Sequence, residues 1–361
     1  MLGISIYPEH EKQQETIDYI KLAAKYKFKR IFTCLLSVND TKENIKKQFE
    51  KIISVARENQ MEVILDIAPK VFNDLQISYD DLKFFYELGA TGIRLDEGFD
   101  GLKEAQMTYN QYDLDIEINM SSGTKYVDNI LSFNPNRKKL IGCHNFYPME
   151  FSGLSLDHFI KTSKQYKKLG IRSAAFVSSK NASHGPWPIM DNGLCTLEMH
   201  RNLPITIQVK HHLMMDLVDD IIIANAFASE EELKSISEIK IPTFEIKFNE
   251  NVSDIEKQIV LGETHINRGD ISDYLIRSTQ TRIKYKDEQF PPKNTKENIE
   301  KGEIAICNDN FDRYRGELHL VKKEHLDKEK RKNIVAKISD EELFLLDYLK
   351  PWSIFKFIEK K

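Results

Sequence analysis

Short apolar, β-branched runs alternate with helically spaced stretches through about the first 230 residues. This alternation constrains the fold more than any other feature of the chain. The strand-like runs are LGISIYP (2–8), RIFTCLLS (30–37), EVILDIAP (62–69), GIRLDEG (92–98), DLDIEINMS (113–121), LIGCHNFYP (140–148), RSAAFVSS (172–179) and DDIIIANAFAS (219–229). Between them, Ile17, Ile20, Ala24 and Phe28 form one apolar stripe at helical spacing, and Ile45, Phe49, Ile52 and Ala56 form another. Ser78 with Asp81, and Ser229 with Glu232, have capping-box spacing, and Gly89 and Gly170 stand where helices should end. Strand–helix alternation predicts parallel βαβ units, and eight strands predict an N-terminal TIM (β/α)8 barrel within an α/β fold. The segment 204–218 begins like a strand, with Ile205, Ile207 and Val209 alternating. It is read as a helix because a strand there would be a ninth.

Past residue 240 the pattern changes. IPTFEIKF, DYLIRSTQTRIKY, GEIAICN and YRGELHLVKK are strand-like, and 254–261 is the one good helix candidate among them. SDEELFLLDYLKPW opens like a helix that Pro351 breaks. The 361 residues therefore divide into a barrel over 1–240 and a smaller, mostly β domain over 241–361.

Charge excludes one class of partner. Lys and Arg total 52 against 56 Asp and Glu, so no broad basic face for nucleic acid is expected. Cys34, Cys143, Cys195 and Cys307 lie far apart, which suits a reducing cytoplasm better than a disulfide framework. The N-terminus has no secretory pattern, and no apolar run is long enough to span a membrane.

Strand parity carries the functional reading, since alternate residues face the barrel interior. Ile4 and Ile6 facing out leaves Ser5 and Tyr7 inside. The same reasoning points Asp66, Arg94 and Asp96 inward, with Asp115, Glu117 and Asn119 on the next strand. On the sixth strand it turns Ile141 and Cys143 out and His144 in. Barrel cores are normally aliphatic, so ionisable residues near strand C-termini mark a site or a buried ion-pair network, for instance Arg94 with Asp96 and Glu117.

Paired carboxylates suit glycoside hydrolysis, one as acid and one as nucleophile, base or charge stabiliser. Asp96 and Glu117 are the preferred pair, with Asp66 as substitute. Glu97 and Glu9 are weaker candidates, and the HGPWP loop (184–188) is a candidate sugar-stacking wall. His144 beside the carboxylates has no metal-site spacing around it, so no metal is expected, nor any cofactor, since GxGxxG and GxxxxGK are absent. Lys70, Lys180 and Lys210 read as surface lysines rather than Schiff-base groups. His211 and His212 read as helix residues, one half-exposed and one packed. In the second domain, His265, Arg268, Arg277 and Arg282 fall in one short β region, with Arg313 and Arg315 further on. Arginine's fork suits phosphate and carboxylate.

SIYPE, RLDEGF, CHNFYP, TLEMHR, DDIIIANAFASEEEL, THINRGDISDYLIRST and RYRGEL, in this order, resemble the bacterial 6-phospho-N-acetylmuramidase family over essentially the whole chain. The resemblance implies a TIM barrel with a cyclophilin-like second domain. It also implies an intracellular glycosidase that splits N-acetylmuramic acid 6-phosphate from N-acetylglucosamine in cell-wall sugar recycling. Matched motif positions are Asp96, His144, Asn145, His265, Arg268 and Arg277. The substrate is then a phosphorylated disaccharide, and a homodimer is left open. Members of the family have also been described as outer surface proteins, at odds with the missing signal pattern. After CHNFYP the family usually carries a basic residue, whereas this chain reads MEFSGLS with Glu150. The alternatives are a phospho-sugar or peptide binding protein without hydrolase activity, and a lyase or aldolase barrel. A prolyl isomerase reading is disfavoured by the few aromatic residues near the arginines.

Overall fold

The computed structural model describes residues 1–8, 11–35, 42–67, 69–182, 184–186 and 192–360. The chain divides into two compact units, Met1–Glu238 and Ile239–Lys361.

In the first unit eight strands close into a barrel in sequence order. They are β1 (Leu2–Ile6), β2 (Arg30–Cys34), β3 (Glu62–Ile67), β4 (Gly92–Leu95), β5 (Asp115–Asn119), β6 (Leu140–Cys143), β7 (Ser173–Val177) and β8 (Asp220–Ile223). Every neighbouring pair is parallel, and β1 pairing with β8 closes the ring. The register sets Cys34 beside Asp66, Asp66 beside Arg94 and Arg94 beside Glu117, so four polar side chains follow one another across adjacent strands.

The surrounding helices are α1 (Gln13–Lys25), α2 (Lys42–Glu58), α3 (Pro69–Asp74), α4 (Lys83–Leu88), α5 (Leu102–Met107), α6 (Tyr126–Ser132), α7 (Leu156–Leu169), α8 (Ile205–Met215) and α9 (Glu230–Ser237). The apolar stripe of α2 is buried through Ile45, Phe49, Ile52 and Ala56. Each large member of such a stripe contributes about 1.5–3 kcal/mol. Helix α9 starts with the Ser229–Glu232 capping box, and α7 stops at Gly170 (φ 68°), a left-handed position that costs glycine little. Ser78 starts no helix. Its Oγ accepts from the Asp80 N–H, and Asp81 Oδ1 accepts from the Lys83 N–H, so the side-chain turn at 78–81 precedes α4, which begins at Lys83. The segment after Pro204 is helical, with the Pro204 carbonyl accepting from the Ile207 and Gln208 N–H groups. Helix α8 is buried on nearly all sides, which explains why its apolar pattern also fits a strand.

The second unit contains β9 (Thr243–Phe248), α10 (Asp254–Gly262), β10 (His265–Ile266), β11 (Leu275–Ser278), α11 (Gln280–Lys284), β12 (Asn298–Ile299), β13 (Glu303–Cys307), β14 (Leu318–Val321), β15 (His325–Leu326), β16 (Lys332–Ile338) and β17 (Ile354–Glu359). Seven strands form one sheet in the order β10-β17-β9-β16-β13-β14-β11, and β12 pairs with β15. The run expected as one long strand stops at Ser278. Thr281 Oγ1 then donates to the Ser278 carbonyl at 2.9 Å, and the short α11 follows. Residues Asp340–Tyr348 form tight 3-10 turns rather than an α-helix.

Candidate active site

At the C-terminal end of the barrel strands, Arg94 organises a set of polar side chains. Its Nη1 donates to Asp66 Oδ1 at 2.5 Å and to Asp96 Oδ1 at 3.0 Å, and Nη2 donates to Asn145 Oδ1. Asp66 is buried, and this burial pushes its carboxyl up to about 7 against the pull of the Arg94 charge. Asp96 is the open member, with 36% of its side chain exposed. Asn119 Nδ2 donates to the Asp96 carbonyl at 3.3 Å, and Asn119 Oδ1 accepts from the Ser121 N–H at 3.0 Å. Ser121 Oγ in turn accepts from the Asn145 N–H at 2.7 Å. Parity thus brings Asp66, Arg94 and Asp96 together with Asn119 and Asn145. Glu97 lies next to Asp96 at the rim, exposed.

Glu117 points inward but not into the mouth. It is 0% exposed and ion-paired with Arg30, whose Nη1 also donates to Asp220 Oδ2 at 2.6 Å. Asp220 also pairs with Arg172 and with the Met1 amino group at the start of β1, so this network runs away from the mouth and Glu117 is not placed to touch a substrate as the preferred pairing requires. The sequence reading passed over Arg30 and Asp220. The parity that turns Phe32 and Cys34 inward would have found Arg30 as well.

His144 also differs from its expected direction. Its Nε2 lies 2.9 Å from Ser163 Oγ on α7, and its ring packs 4.7 Å from Phe159. The residue therefore faces the helices, while Cys143 packs inside with Phe32, Phe176 and Ile222. The cause is Gly142, over which Tyr166 lies: a Cβ there would approach Tyr166 Cε1 to 2.7 Å. The outward positions of β6 are Leu140 and Gly142, and the apolar Ile141 and Cys143 take the interior. Apolarity alone gives the opposite parity. His144 still acts on the mouth through Nδ1, 3.3 Å from Ser121 Oγ.

Tyr7 lies inside the barrel, buried, with its hydroxyl donating to the Ala224 carbonyl. Beyond β7, a cavity of about 240 Å³ is lined by Ser178, Ser179, Lys180, Arg201 and Glu150. Its Arg201 is occupied by Glu198 and by loop carbonyls, including those of Tyr147 and Asn192. Lys180 Nζ donates to the Asn202 carbonyl at 2.7 Å. Both His211 and His212 are buried, unlike the half-exposed arrangement expected. Glu9, and Trp187 and Pro188 of the HGPWP loop, lie outside the described residues.

In the second unit, Arg277 Nε donates to Glu317 Oε1 at 2.7 Å, and Arg282 Nη1 is 3.1 Å from Glu317 Oε2. The guanidiniums lie 5.6 and 5.1 Å from the centre of the Tyr314 ring. Arg268 pairs with Asp270 through Nε and Nη2. His265 does not join them. It is buried, with Nδ1 2.9 Å from Ser278 Oγ and its ring stacked on Phe355, and burial pushes it down to about 4. Its alternation with polar neighbours gave no sign of that aromatic core, which is assembled from β17, about 90 residues later in the chain.

Among the described residues no group of three or more His, Cys, Asp or Glu side chains is arranged to hold a metal ion. No helix among them is long and apolar enough to cross a membrane.

Two family profiles match in tandem. The one described as 6-phospho-N-acetylmuramidase, N-terminal, covers residues 2–238, and the C-terminal one covers 242–358. Among solved structures, an uncharacterized B. cereus protein is 50% identical over 99% of each chain, with a TM-score of 0.89. A protein of unknown function from Enterococcus faecalis is 25% identical over 100% of this chain and 96% of that one, with a TM-score of 0.76. No curated protein matches the chain. With both units matched in order, the chain belongs to the 6-phospho-N-acetylmuramidase family, a family of glycosidases.

Proposed function

We propose that the chain hydrolyses the bond joining N-acetylmuramic acid 6-phosphate to N-acetylglucosamine, in the cytoplasmic recycling of cell-wall sugars. The observation that carries this reading is the Asp66–Arg94–Asp96 arrangement at the mouth of the barrel. Asp66 keeps its proton to about pH 7 and is the acid for the leaving oxygen. Asp96, open to the mouth, is the second carboxylate. Two oxygens on one guanidinium nitrogen lie no further apart than those two contacts laid end to end. That suits the short carboxyl spacing of about 5–5.5 Å used by retaining enzymes, not the longer spacing of inverting ones. The substrate's acetamido group can take the place of the nucleophile at the same spacing.

Asn119 and Asn145 border the acids and offer amide groups to sugar hydroxyls. Arg268, Arg277 and Arg282 are the residues offered to phosphate or carboxylate, whose flat oxygens match guanidinium geometry. All four cysteines are free thiols, which fits a reducing compartment. The test is incubation with the phosphorylated disaccharide. Release of both sugars supports the reading, and intact substrate with folded protein rejects it.

A further inference from the structure

The second unit holds a groove of about 590 Å³ whose lining includes Ile266, Gly269, Trp352 and Arg282, together with Arg268 and the Asp270 carboxylate that pairs with it. Trp352 is 71% exposed, and its backbone is held in place. Its φ is 65°, a left-handed conformation that costs a bulky residue free energy and persists only when neighbours impose it. Those neighbours are on hand. The Trp352 N–H donates to the Asn267 carbonyl at 3.0 Å, and the Asn267 N–H donates to the Ser353 carbonyl at 2.9 Å. The buried Asn267 side chain donates to the Leu349 and Lys350 carbonyls at 3.1 and 3.2 Å. The indole then lies over Gly269, where a Cβ would come within 2.4 Å of Cζ2. Position 269 must lack a side chain for the ring to rest there.

Charge completes the groove. Glu317 is fully buried and serves two guanidiniums, Arg277 and Arg282. Burial pushes His319, 3.1 Å from Glu317, down, so the imidazole stays neutral and one carboxylate faces two cations. The cluster keeps a net positive charge, and Arg282 brings it to the groove wall. An exposed indole lining the same groove as an ion-paired guanidinium matches a pyranose that carries an anion: the sugar's C–H face stacks on the ring while the anion meets the fork.

We propose that this groove is a binding site for a phosphorylated pyranose, lined by residues of the second unit. It deepens the muramidase reading, from which the ligand class is taken. Trp187→Phe leaves Trp352 as the sole tryptophan of the full chain. Its emission is followed while N-acetylglucosamine 6-phosphate, N-acetylglucosamine or inorganic phosphate is added. A saturable change is expected, with half-saturation at least about tenfold lower for the phosphorylated sugar than for either part alone, as one charge-assisted contact predicts. Arg282→Ala should remove that advantage in a protein that still folds, because Arg277 keeps the buried Glu317 paired. Gly269→Val, which displaces the ring, should abolish the response, and Trp352→Tyr should retain binding by calorimetry where Trp352→Ala loses it. No emission change, equal affinity for the neutral sugar, or an unchanged response in Arg282→Ala overturns the proposal. The titration is repeated on Asp96→Asn, so groove binding and hydrolysis are read separately. A silent groove with active hydrolysis overturns this inference alone, whereas a responsive groove with intact disaccharide rejects the muramidase reading and leaves the groove standing.

Discussion

Arg94 Nη1 holds Asp66 Oδ1 at 2.5 Å, and one strand register places the two residues side by side on β3 and β4. The guanidinium lies against a carboxyl that burial nevertheless keeps protonated to about 7. The proposed mechanism takes Asp66 as its acid on that ground. Asp66→Asn is expected to lower kcat by roughly 10²–10⁴-fold, the range for loss of a general acid. In the unsubstituted protein, turnover should hold below pH 7 and decline as pH rises through it, because the proton to be delivered is lost. Sugar release measured from pH 5 to 9 decides this. A rate that keeps rising past pH 8 removes Asp66 from the acid role.

The stereochemical outcome follows from the shared nitrogen. Carboxylates brought this close leave no room for a water between nucleophile and sugar, so the first-formed anomer should keep the substrate's configuration. Proton NMR of the reaction within the first minutes reads the anomer directly. Initial inversion would place the second carboxylate elsewhere.

Glu117 and Asp96 should respond in opposite ways to removal of charge. Glu117→Gln breaks a fully buried pair and leaves Arg30 short of a partner, a change that costs about 3–5 kcal/mol. At roughly 2–4 °C per kcal/mol, the melting temperature should drop well outside experimental error. The folded fraction should keep most of its turnover. Asp96→Asn, at the rim, should melt almost as the parent does and lose hydrolysis. Normal stability in Glu117→Gln together with lost turnover would return Glu117 to the catalytic pair.

A chain of buried imidazoles sets the response to acid. His200 Nε2 lies 2.8 Å from His211 Nδ1, and the His212 ring is 5.0 Å from His200 and 5.3 Å from Phe159, which stacks on His144. Burial pushes His144 down to about 3 and His211 to about 4, and lowers His200 and His212 as well. The unfolded chain takes up these protons near the ordinary 6.5, ahead of the folded one. Stability is therefore complete above about pH 6.5 and falls on acidification toward 4, by up to about 1.4 kcal/mol per pH unit for each group. Asp66 and Glu11, both raised to about 7, act in the other direction, but the histidines outnumber them. Melting curves at pH 7.5, 6 and 5 should show the decline, and His212→Leu should make it shallower. A melting temperature independent of pH over that span would contradict the account.

Much of the barrel was legible in the chain. Apolar periodicity and caps mark the strands and most helices, because burial of one face imposes a period that the residues must obey. Parity also oriented Asp66, Arg94 and Asp96, where charged and aliphatic residues alternate cleanly. It failed on β6, where both faces take small or apolar residues and only Tyr166 over Gly142 decides which side is out. It gave Glu117 the right direction but the wrong surroundings, since the partners Arg30 and Asp220 come from strands far away in sequence.

The sequence by itself determined the repeated strand–helix order, the inward carboxylates and the family of the chain, because each is written in local spacing or in contiguous motifs. Only the tertiary structure decided which acids reach the mouth, that His265 belongs to an aromatic core, and that Trp352 lies over Gly269 in the groove that Arg282 also lines. Those outcomes depend on contacts between residues tens to hundreds of positions apart, and desolvation and pairing at such contacts are properties of the folded neighbourhood rather than of any segment.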